Sequence, residues 1–430
     1  MVFVDKLVIE CYNNLKSRCN MSFKSLYKLF VMNDFETFNK IYNDRFNSNS
    51  TIKFELYNEG HQSFFNYDME IMSLVSKIDI INLRLKKVFA ELPVIAKEQY
   101  FRKSLVDEIH FTNQIEGVVS TRKEISDLIN EIEQKVKTKN RFVGIVNKYL
   151  MLMKDDIQIN DSNDIRKLYD EMLYDEIKSE DEHNLPDGLI FRKDQVHVYK
   201  SGERIVHNGL MPESKIIEYM DKAIKILNDE SINILIRVSI FHYFFGYIHP
   251  FYDGNGRINR FISSYVLSKY YNEIIGFRLS LTIKDNLSSY LEAFDNTNDI
   301  RNRFDVSTFV YEYLMIIYKS FEKTEIYALE KKQEYDKYNY ILESVKDRFT
   351  ELNKKDEIIN LLSILIQSSI FGDFGLTKKN IMVIMGKGNT TIFQYLNILK
   401  KLNLCVDYPS GRQHYYKANF DELEKLKDNN

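Results

Sequence analysis

Hydrophobic residues recur at the spacing of an α-helix along most of this chain. Between Met69 and Leu92, apolar side chains return every three or four residues, and Pro93 then marks a helix boundary. The next periodic segment begins near Ile95 and is expected to end at Gly117, which can adopt the left-handed conformation that closes a helix. The same pattern predicts further helices over 121–152, 165–178, 213–227, 232–248, 256–271, 286–296 and 306–322.

The period changes to that of a β-strand in residues 188–209. Val196 and Val198 alternate with polar residues, Ser201 and Gly202 supply a turn, and a second short strand follows over 204–207. We therefore predict a mainly α-helical fold that carries one β-hairpin in this part of the chain.

Composition and turn residues divide the chain into four parts. Residues 1–65 form an N-terminal extension, 66–325 the main helical domain, and 326–354 a charged connecting helix. In residues 355–430, helices joined by tight turns precede two strands about a Ser-Gly-Arg turn, which is the pattern of a winged-helix domain. Its basic residues are sparse, so DNA binding and protein docking are both left open. Those at the expected DNA-facing positions are Lys378, Lys379, Lys387, Arg412 and Lys417.

Charge and cysteine content limit the location and the partners. The 430 residues carry a formal net charge of −3, which makes the whole molecule a poor nonspecific binder of nucleic acid. The three cysteines are widely spaced and match neither a disulfide framework nor a zinc site, which favours a reducing cytoplasm. The longest apolar run, 232–248, is interrupted by Arg237 and His242 and is too short for a membrane span. We expect a cytoplasmic protein that does not enter membranes.

The candidate chemistry is concentrated in residues 249–260, HPFYDGNGRINR, called here the 249–260 loop. Its Gly-Asn-Gly turn can point successive backbone N–H groups at an anion, and the helix that follows adds its positive end. Arg257 and Arg260 are three residues apart on that helix and suit a polyphosphate. Asp253 can hold Mg²⁺ against phosphates, and His249 can accept a proton. An ordinary helix–helix turn would explain each residue singly, but not all of them within twelve positions.

This stretch resembles the signature of the Fic family, H-x-F-x-[DE]-G-N-G-R-x-x-R, and matches it at every fixed position. The resemblance implies transfer of AMP from ATP to a hydroxyl side chain of a target protein. It also implies His249 as the general base, Phe251 as the buried anchor of the loop and Asp253 as the Mg²⁺ ligand. Implied contacts to the α- and β-phosphates come from Gly254, Asn255, Gly256 and Arg257, and the contact to the γ-phosphate from Arg260.

A second resemblance concerns residues 111–117, FTNQIEG, which are similar to the inhibitory motif of the family, [ST]-x-x-x-E-[GN]. Thr112 and Glu116 are four residues apart and therefore share a helix face, and Gly117 follows them. If this helix, over about 95–117, lies against the loop, Glu116 would pair with Arg260 and take the place of the γ-phosphate. The chain thus resembles the self-inhibited class of the family.

Two looser similarities lie outside these motifs. The hairpin near 196–207 corresponds in position to the family's flap, which binds a segment of the target by strand addition. Tyr290 lies where the family places aromatic residues near adenine, although Ser289 stands where an adjacent tyrosine is common, and Gly246 where a glutamate is common. The expected partners are ATP, Mg²⁺ and a target protein, self-modification included, and a homodimer is left open.

Other functions remain compatible with the same residues. The loop would serve removal of AMP equally well, with Glu116 positioning water and His249 acting as an acid. A DNA-binding regulator would use the loop to sense ATP or AMP and the C-terminal domain to bind DNA. Donors other than ATP, and phosphocholine transfer, are also open, because the loop recognises a pyrophosphate better than the group that is transferred.

Overall fold

The computed structural model describes residues 23–152, 157–200, 204–271, 273–349, 354–410 and 413–428. The protein is mostly helical, as the sequence predicts, with small antiparallel sheets. The helices are α1 (Leu26–Met32), α2 (Phe35–Phe46), α3 (Met69–Glu91), α4 (Val94–Ile115), α5 (Arg122–Glu133), α6 (Val143–Met151), α7 (Ser162–Glu180), α8 (Glu213–Leu227), α9 (Ile234–Ile248), α10 (Asn255–Tyr270), α11 (Glu273–Gly276), α12 (Leu279–Asp285), α13 (Leu287–Asn298), α14 (Ser307–Val345), α15 (Lys355–Phe371), α16 (Lys378–Met385), α17 (Asn389–Lys401) and α18 (Phe420–Asp428). The strands are β1 (Thr51–Asn58), β2 (His61–Asn66), β3 (His197–Lys200), β4 (Arg204–Asn208), β5 (Leu376–Thr377), β6 (Cys405–Ser410) and β7 (Gln413–Ala418).

Helix α9 lies at the centre of the core and leads into the 249–260 loop. Nearly all of its side chains are buried, because neighbouring helices cover it on every side. The helix ends before His249, since the residue preceding a proline is disfavoured in the α conformation. Helix α10 starts six residues later and packs against α9, so the loop is held between two buried helices. Among the described residues, no helix combines the length and the apolar character that crossing a membrane would require.

Helix α14 differs from the expected division of the chain. The sequence predicts a helix over 306–322 and a charged connecting helix over 326–354, and in the structure one helix of 39 residues runs across both. Its first part packs against α3, α9 and α13, and its later part against α15 and α18. The charged composition after residue 322 suggested a linker, but no proline or glycine interrupts the helix there. The expected boundary at 325 therefore falls inside a continuous helix.

Residues 23–66 contain two helices and a hairpin that were not predicted from the sequence. Strands β1 and β2 pair antiparallel from Thr51 with Asn66 to Asn58 with His61, so the hairpin passes the expected boundary at residue 65 by one residue. Glu59 and Gly60 form its turn, both with positive φ. The sequence carried a signal for this turn, because an acidic residue followed by glycine between alternating apolar residues is typical of a hairpin.

The hairpin predicted in the middle of the chain is present as β3 and β4. His197 pairs with Asn208 and Lys200 with Arg204 in antiparallel register. The predicted turn at 201–202 lies outside the residues that the structure describes. Gly209 continues from β4 and donates its N–H to the carbonyl of Val196, which closes the base of the hairpin.

Residues 354–428, called here the C-terminal unit, contain helices α15 to α18 and a three-stranded sheet in the order β5-β7-β6. Thr377 and Asn380 form a reciprocal capping box at the start of α16. The turn predicted around residue 411 lies outside the described ranges. The helices and strands follow the predicted order, and the assignment of the unit as a winged-helix domain stays a prediction.

Candidate active site

The 249–260 loop is anchored by the buried ring of Phe251. This ring stacks on Tyr169 at 4.1 Å between centroids and meets Phe191 edge-on at 5.4 Å. The amide of Asn255 closes the loop from the inside, since its Nδ2 donates to the Phe251 carbonyl at 2.8 Å and its Oδ1 accepts from the Phe251 N–H at 2.9 Å. These contacts fix the backbone between the two helices without any bound ligand.

Gly254 precedes helix α10 in the left-handed conformation, with φ +82°. A Cβ added here would come within 2.6 Å of the Leu173 side chain, so both conformation and space require glycine. The N–H of Gly254 is bonded to the carboxylate of Asp253. The turn therefore has the tight backbone that the sequence predicted for an anion-binding nest at a helix N-terminus.

His249 stands at the C-terminal end of α9 with φ +52° and a partly exposed side chain. Its Nδ1 lies 3.3 Å from the carbonyl oxygen of Gly246, which favours the tautomer with a proton on Nδ1 and leaves Nε2 to accept one. Burial, together with the neighbouring His207 and the positive charge of Arg192, lowers the pKa of His249 to about 4. The imidazole is therefore neutral near pH 7, as a general base must be.

Arg192 holds the backbone at the start of the 249–260 loop, a role that was not predicted from the sequence. Its buried guanidinium donates to the carbonyl oxygens of His249 at 2.9 Å, Asp194 at 2.6 Å and Leu210 at 3.0 Å. It thereby joins the backbone at His249 to the base of the β3–β4 hairpin. In the sequence it appears as one arginine among many, and only the fold brings three carbonyl groups around it.

Arg257 forms an ion pair with Glu176 that is closed to solvent. Their Nη1 and Oε1 atoms are 2.6 Å apart, and both side chains are fully buried. Glu176 was not predicted, although a carboxylate on the apolar stripe of α7, between Leu173 and Ile177, was a signal in the sequence. Within the described part of the chain, the Nε and Nη2 atoms of Arg257 make no hydrogen bond. Donors of this kind suit a further anionic ligand.

Arg260 is bound by α4, as the inhibitory motif predicted. Its Nε donates to Thr112 Oγ1 at 2.8 Å, and its Nη2 donates to the Thr112 carbonyl at 3.1 Å and to Glu116 Oε1 at 2.8 Å. The exposed fraction is 1% for the Arg260 side chain and 26% for that of Glu116. Burial would raise the pKa of Glu116, but Arg260 lowers it below its ordinary value, so the pair is charged.

The glycine after Glu116 ends helix α4 as predicted. Gly117 has φ +76°, its N–H bonds to the Gln114 carbonyl, and the N–H of Val118 bonds to the carbonyl of Asn113. These two bonds are those of a Schellman cap. The cap sets where the helix stops, and so where the Glu116 side chain meets the loop. A Cβ added to Gly256 would collide with the Glu116 carboxylate, which shows how closely the carboxylate covers this turn.

Asp253 is the remaining carboxylate of the loop. Its side chain is 37% exposed and lies 3.7 Å from Nη2 of Arg257. Among the described residues, no group of three or more His, Cys, Asp or Glu side chains is arranged to hold a metal ion. A cation at Asp253 would therefore take most of its ligands from a bound phosphate chain and water, as Mg²⁺ commonly does.

Tyr290 lies in the core rather than on an open surface. Its ring is buried, and its hydroxyl oxygen is 2.7 Å from Nε2 of the buried His242. The same hydroxyl also interacts with the Arg260 guanidinium, so the structure places Tyr290 beside the last arginine of the loop. Its predicted adenine contact stays a prediction. A side chain at Gly246 would meet the ring of Phe294 at 2.6 Å, which explains why glycine replaces the more common glutamate there.

The basic residues expected to face DNA are mostly bound within the protein. The Nζ of Lys379 donates to Gln134 Oε1 at 2.8 Å, and that of Lys417 to the Asp373 carbonyl at 2.7 Å. Of the others, Lys387 forms an ion pair with Glu357 at 2.9 Å, Lys378 lies over the Phe393 ring, and Arg412 is outside the described residues. Of these contacts only the Lys387–Glu357 pair neutralises a charge, so DNA binding by this unit stays a prediction.

The model of the Fic/DOC family matches residues 159–267. The match begins just before α7 and ends within α10, so it includes the β3–β4 hairpin and the whole 249–260 loop. Helix α4, with Thr112 and Glu116, and the C-terminal unit lie outside it. No curated protein matches the chain.

Solved structures that are similar to this chain come from bacteria and a nematode. A Fic family protein from Desulfovibrio desulfuricans G20 shares 19% identity and has a TM-score of 0.47, covering 82% of this chain and 97% of its own. A Fic domain containing signaling protein from Bacteroides thetaiotaomicron VPI-5482 shares 18%, with a TM-score of 0.40 and coverage of 61% and 97%. Fic-1 from C. elegans shares 18%, with a TM-score of 0.39 and coverage of 61% and 72%.

Proposed function

We propose that this protein is a nucleotidyltransferase that moves AMP from ATP to a hydroxyl side chain of a target protein. The observation that carries the proposal is the joint geometry of the 249–260 loop and α4. The glycine turn at the N-terminus of α10 lies beside a neutral histidine, His249, and two buried arginines, Arg257 and Arg260. The carboxylate of Glu116 covers this turn. The matched Fic/DOC family generally transfers nucleoside monophosphates to proteins, which supports the same reaction class.

In the proposed reaction the target hydroxyl attacks the α-phosphorus of ATP. A new O–P bond forms, the bond from the α-phosphorus to the bridging oxygen breaks, and pyrophosphate leaves. His249 Nε2 takes the proton from the hydroxyl, while the Gly246 carbonyl holds the other side of the ring. The N–H of Gly254 would exchange the Asp253 carboxylate for a phosphate oxygen. Together with the Gly256 N–H and the Asn255 and Arg257 side chains, it would bind the α- and β-phosphates.

Asp253 would hold Mg²⁺ together with oxygen atoms of the nucleotide. The ion would neutralise phosphate charge as pyrophosphate forms. One partly exposed carboxylate beside an anion nest fits such a shared site. The β3–β4 hairpin is the proposed binding surface for the target segment, because a short strand can accept a further strand along its edge.

Glu116 is proposed to restrain the enzyme. Arg260 is the residue assigned to the γ-phosphate, and its Nη2 is engaged by the Glu116 carboxylate at 2.8 Å. A γ-phosphate arriving there would meet a like charge and an arginine whose donors are already used. ATP would then bind with its phosphates displaced, and the α-phosphate would be out of line for attack.

Removal of AMP from a modified target is a second candidate. It is favoured by the closeness of the two groups that it would need, since the negative charge of Glu116 raises the pKa of His249 and His249 lowers that of Glu116. Glu116 would position water and His249 would protonate the leaving oxygen. This reaction requires Glu116, whereas the transfer reaction is hindered by it.

The test uses the Glu116→Gly protein with ATP labelled on either the α- or the γ-phosphate. We expect α-label in protein, from self-modification or from a cell lysate, and none of the γ-label. Adding His249→Ala should abolish incorporation with little effect on folding, as checked by circular dichroism. Incorporation of the γ-label, or α-label transfer that survives His249→Ala, would overturn the proposed reaction. Label lost from a pre-modified target only when Glu116 is intact would favour removal.

A further inference from the structure

Glu108 is a fully buried carboxylate on α4 that the proposed reaction does not use. It lies four residues before Thr112 and eight before Glu116, so all three side chains share one face of the helix. Its Oε1 accepts hydrogen bonds from the hydroxyls of Ser264 at 3.0 Å and Ser280 at 2.6 Å, and its Oε2 from the N–H of Ser280 at 2.8 Å. Burying a carboxylate costs free energy, and the three hydrogen bonds offset part of that cost. We therefore asked what this group does on α4.

The partners of this face are spaced in the same way on α10. Ser264, Arg260 and Gly256 are four residues apart and form one face of that helix. Glu108 meets Ser264, Thr112 meets Arg260, and Glu116 meets both Arg260 and the backbone at Gly256. The two helices therefore run antiparallel and meet through three successive contacts, which we call the ladder (Glu108–Ser264, Thr112–Arg260, Glu116–Arg260).

We propose that Glu108 is a positioning residue that sets the register in which Glu116 meets Arg260, and that the protonation of its carboxyl group decides how firmly α4 is held. The inference rests on the proposed function, because it concerns the restraint of that site. Ser280 belongs to α12, so Glu108 ties α4 to two other helices, whereas the carboxylate of Glu116 at the helix end accepts its hydrogen bond from Arg260 on α10. A shift of α4 by one turn would separate both contacts at once.

Burial raises the pKa of Glu108 to about 7 against the help of its serine donors and of Arg260. The groups that face it are Arg260 on α10, Tyr149 on α6 and Tyr313 on α14, and burial raises the pKa of both tyrosines well above their ordinary value. Between pH 5 and 8, Glu108 is therefore the group of this set that titrates.

The direction in which pH changes the docking of α4 follows from the pKa of Glu108 in the docked and in the released helix. A released Glu108 would meet water and have an ordinary pKa near 4.5, whereas the docked carboxyl has a pKa of about 7 and binds its proton more tightly. Docking is therefore strongest at low pH and weakens as the pH rises from about 4.5 to about 7. Between pH 6 and pH 8, the fraction of released helix should rise about ten-fold.

The test compares Glu108→Gln with the parent, each also combined with Glu116→Gly. The rate of AMP transfer divided by that of the matching Glu116→Gly protein measures the restraint and cancels other effects of pH. We expect this ratio to rise about ten-fold from pH 6 to pH 8 in the parent, and to stay near its low value in Glu108→Gln, because the neutral amide keeps α4 docked. An equal rise in both proteins would overturn the proposal.

Asp107 supplies a matched control. It is also buried and on α4, but its carboxylate faces away from α10 and pairs with Arg122 at 2.8 Å. Asp107→Asn should leave the pH dependence of the parent in place. A loss of that dependence would assign it to the helix as a whole and count against Glu108.

Hydrogen exchange of the amides in 105–117 tests the same inference without catalysis. The amide of Glu108→Gln stands in for the protonated carboxyl group, so at pH 8 the parent should exchange about 300-fold faster than this variant measured at the same pH. At pH 6 the difference should shrink to about 30-fold. If no variant transfers AMP but this difference appears, the proposed function fails and the ladder stands. Equal exchange at both values would refute the role of Glu108 even in an active enzyme.

Discussion

The two arginines of the 249–260 loop are held by carboxylates on opposite sides, and the two pairs differ in burial. Arg257 and Glu176 are both fully buried, on the side of α7. Arg260 is equally buried, but its partner Glu116 lies at the end of α4 with 26% of its side chain exposed. The chemistry of the two pairs is alike. The first pair therefore belongs to the buried core, whereas the second has a carboxylate that solvent can reach, as the proposed exchange with a ligand requires.

Removal of each carboxylate tests this difference most strongly. Glu176→Ala leaves Arg257 buried and unpaired, so the free energy of unfolding should fall by about 3–5 kcal/mol. Glu116→Ala removes a partly exposed partner, and we expect a fall of about 1 kcal/mol or less. Urea denaturation measures both, with Glu176→Gln as a control that keeps the side-chain volume. Equal losses for the two alanine variants would contradict the comparison.

The two glycines of the turn sharpen the same contrast at a smaller scale. Gly254 has φ +82° and faces the fixed Leu173 side chain, so Gly254→Ala should cost about 1–3 kcal/mol. Gly256 is helical and faces the ends of the Glu116 and Arg260 side chains, which can move. Gly256→Ala should therefore change stability by less than about 1 kcal/mol. Thermal unfolding measures the stability of both variants. A larger loss of stability for Gly256→Ala than for Gly254→Ala would show that Glu116 is held as rigidly as the core.

Replacing the glycine that caps α4 should change stability less than the substitutions above. No atom lies within 4 Å of a Cβ placed on Gly117, so Gly117→Ala would be strained only by its φ of +76°. We expect a loss of about 1 kcal/mol, together with faster hydrogen exchange in the last turn of α4. Gly386→Ala is a matched control, since this left-handed glycine also has open space around it but lies at the end of α16. Faster exchange in α4 for both variants would mean that the effect is not local.

The smallest expected effect is that of pH on the unrestrained enzyme. The pKa of His249 is about 4, so the base is neutral throughout the neutral range and loses activity only when it binds a proton at low pH. The Glu116→Gly protein should change its transfer rate less than about two-fold between pH 6 and 8 and lose activity below about pH 5. A loss of activity centred near pH 6.5 would show that the histidine has an ordinary pKa.

Sequence reasoning was most successful where the information is local. Helical spacing predicted the helices around the loop, Pro250 and Gly117 predicted their ends, and the motif at 111–117 predicted the contact of Glu116 with Arg260, which lies 144 residues away. The partners of buried charges were missed. Glu176 interrupts the apolar stripe of α7, but the sequence does not tell which residue it pairs with. Only tertiary packing brings an arginine to Glu176 and two serines to Glu108.

The division at residue 325 falls inside a continuous helix for a related reason. A run of charged residues is typical of a solvated linker, but the same residues also suit the exposed face of a long helix whose other face is packed. No local signal distinguishes the two, because the outcome depends on whether α15 and α18 cover the later turns of α14.

The central claim is that Glu116 and the nucleotide compete for Arg260, and the initial rate of α-labelled AMP transfer tests it most directly. Parent, Glu116→Gly and Glu116→Gly with Arg260→Ala should be compared at saturating ATP and one pH. We predict that Glu116→Gly is at least about ten-fold faster than the parent, and that Arg260→Ala removes this gain. A Glu116→Gly protein no faster than the parent, or one whose gain survives the loss of Arg260, would contradict the account.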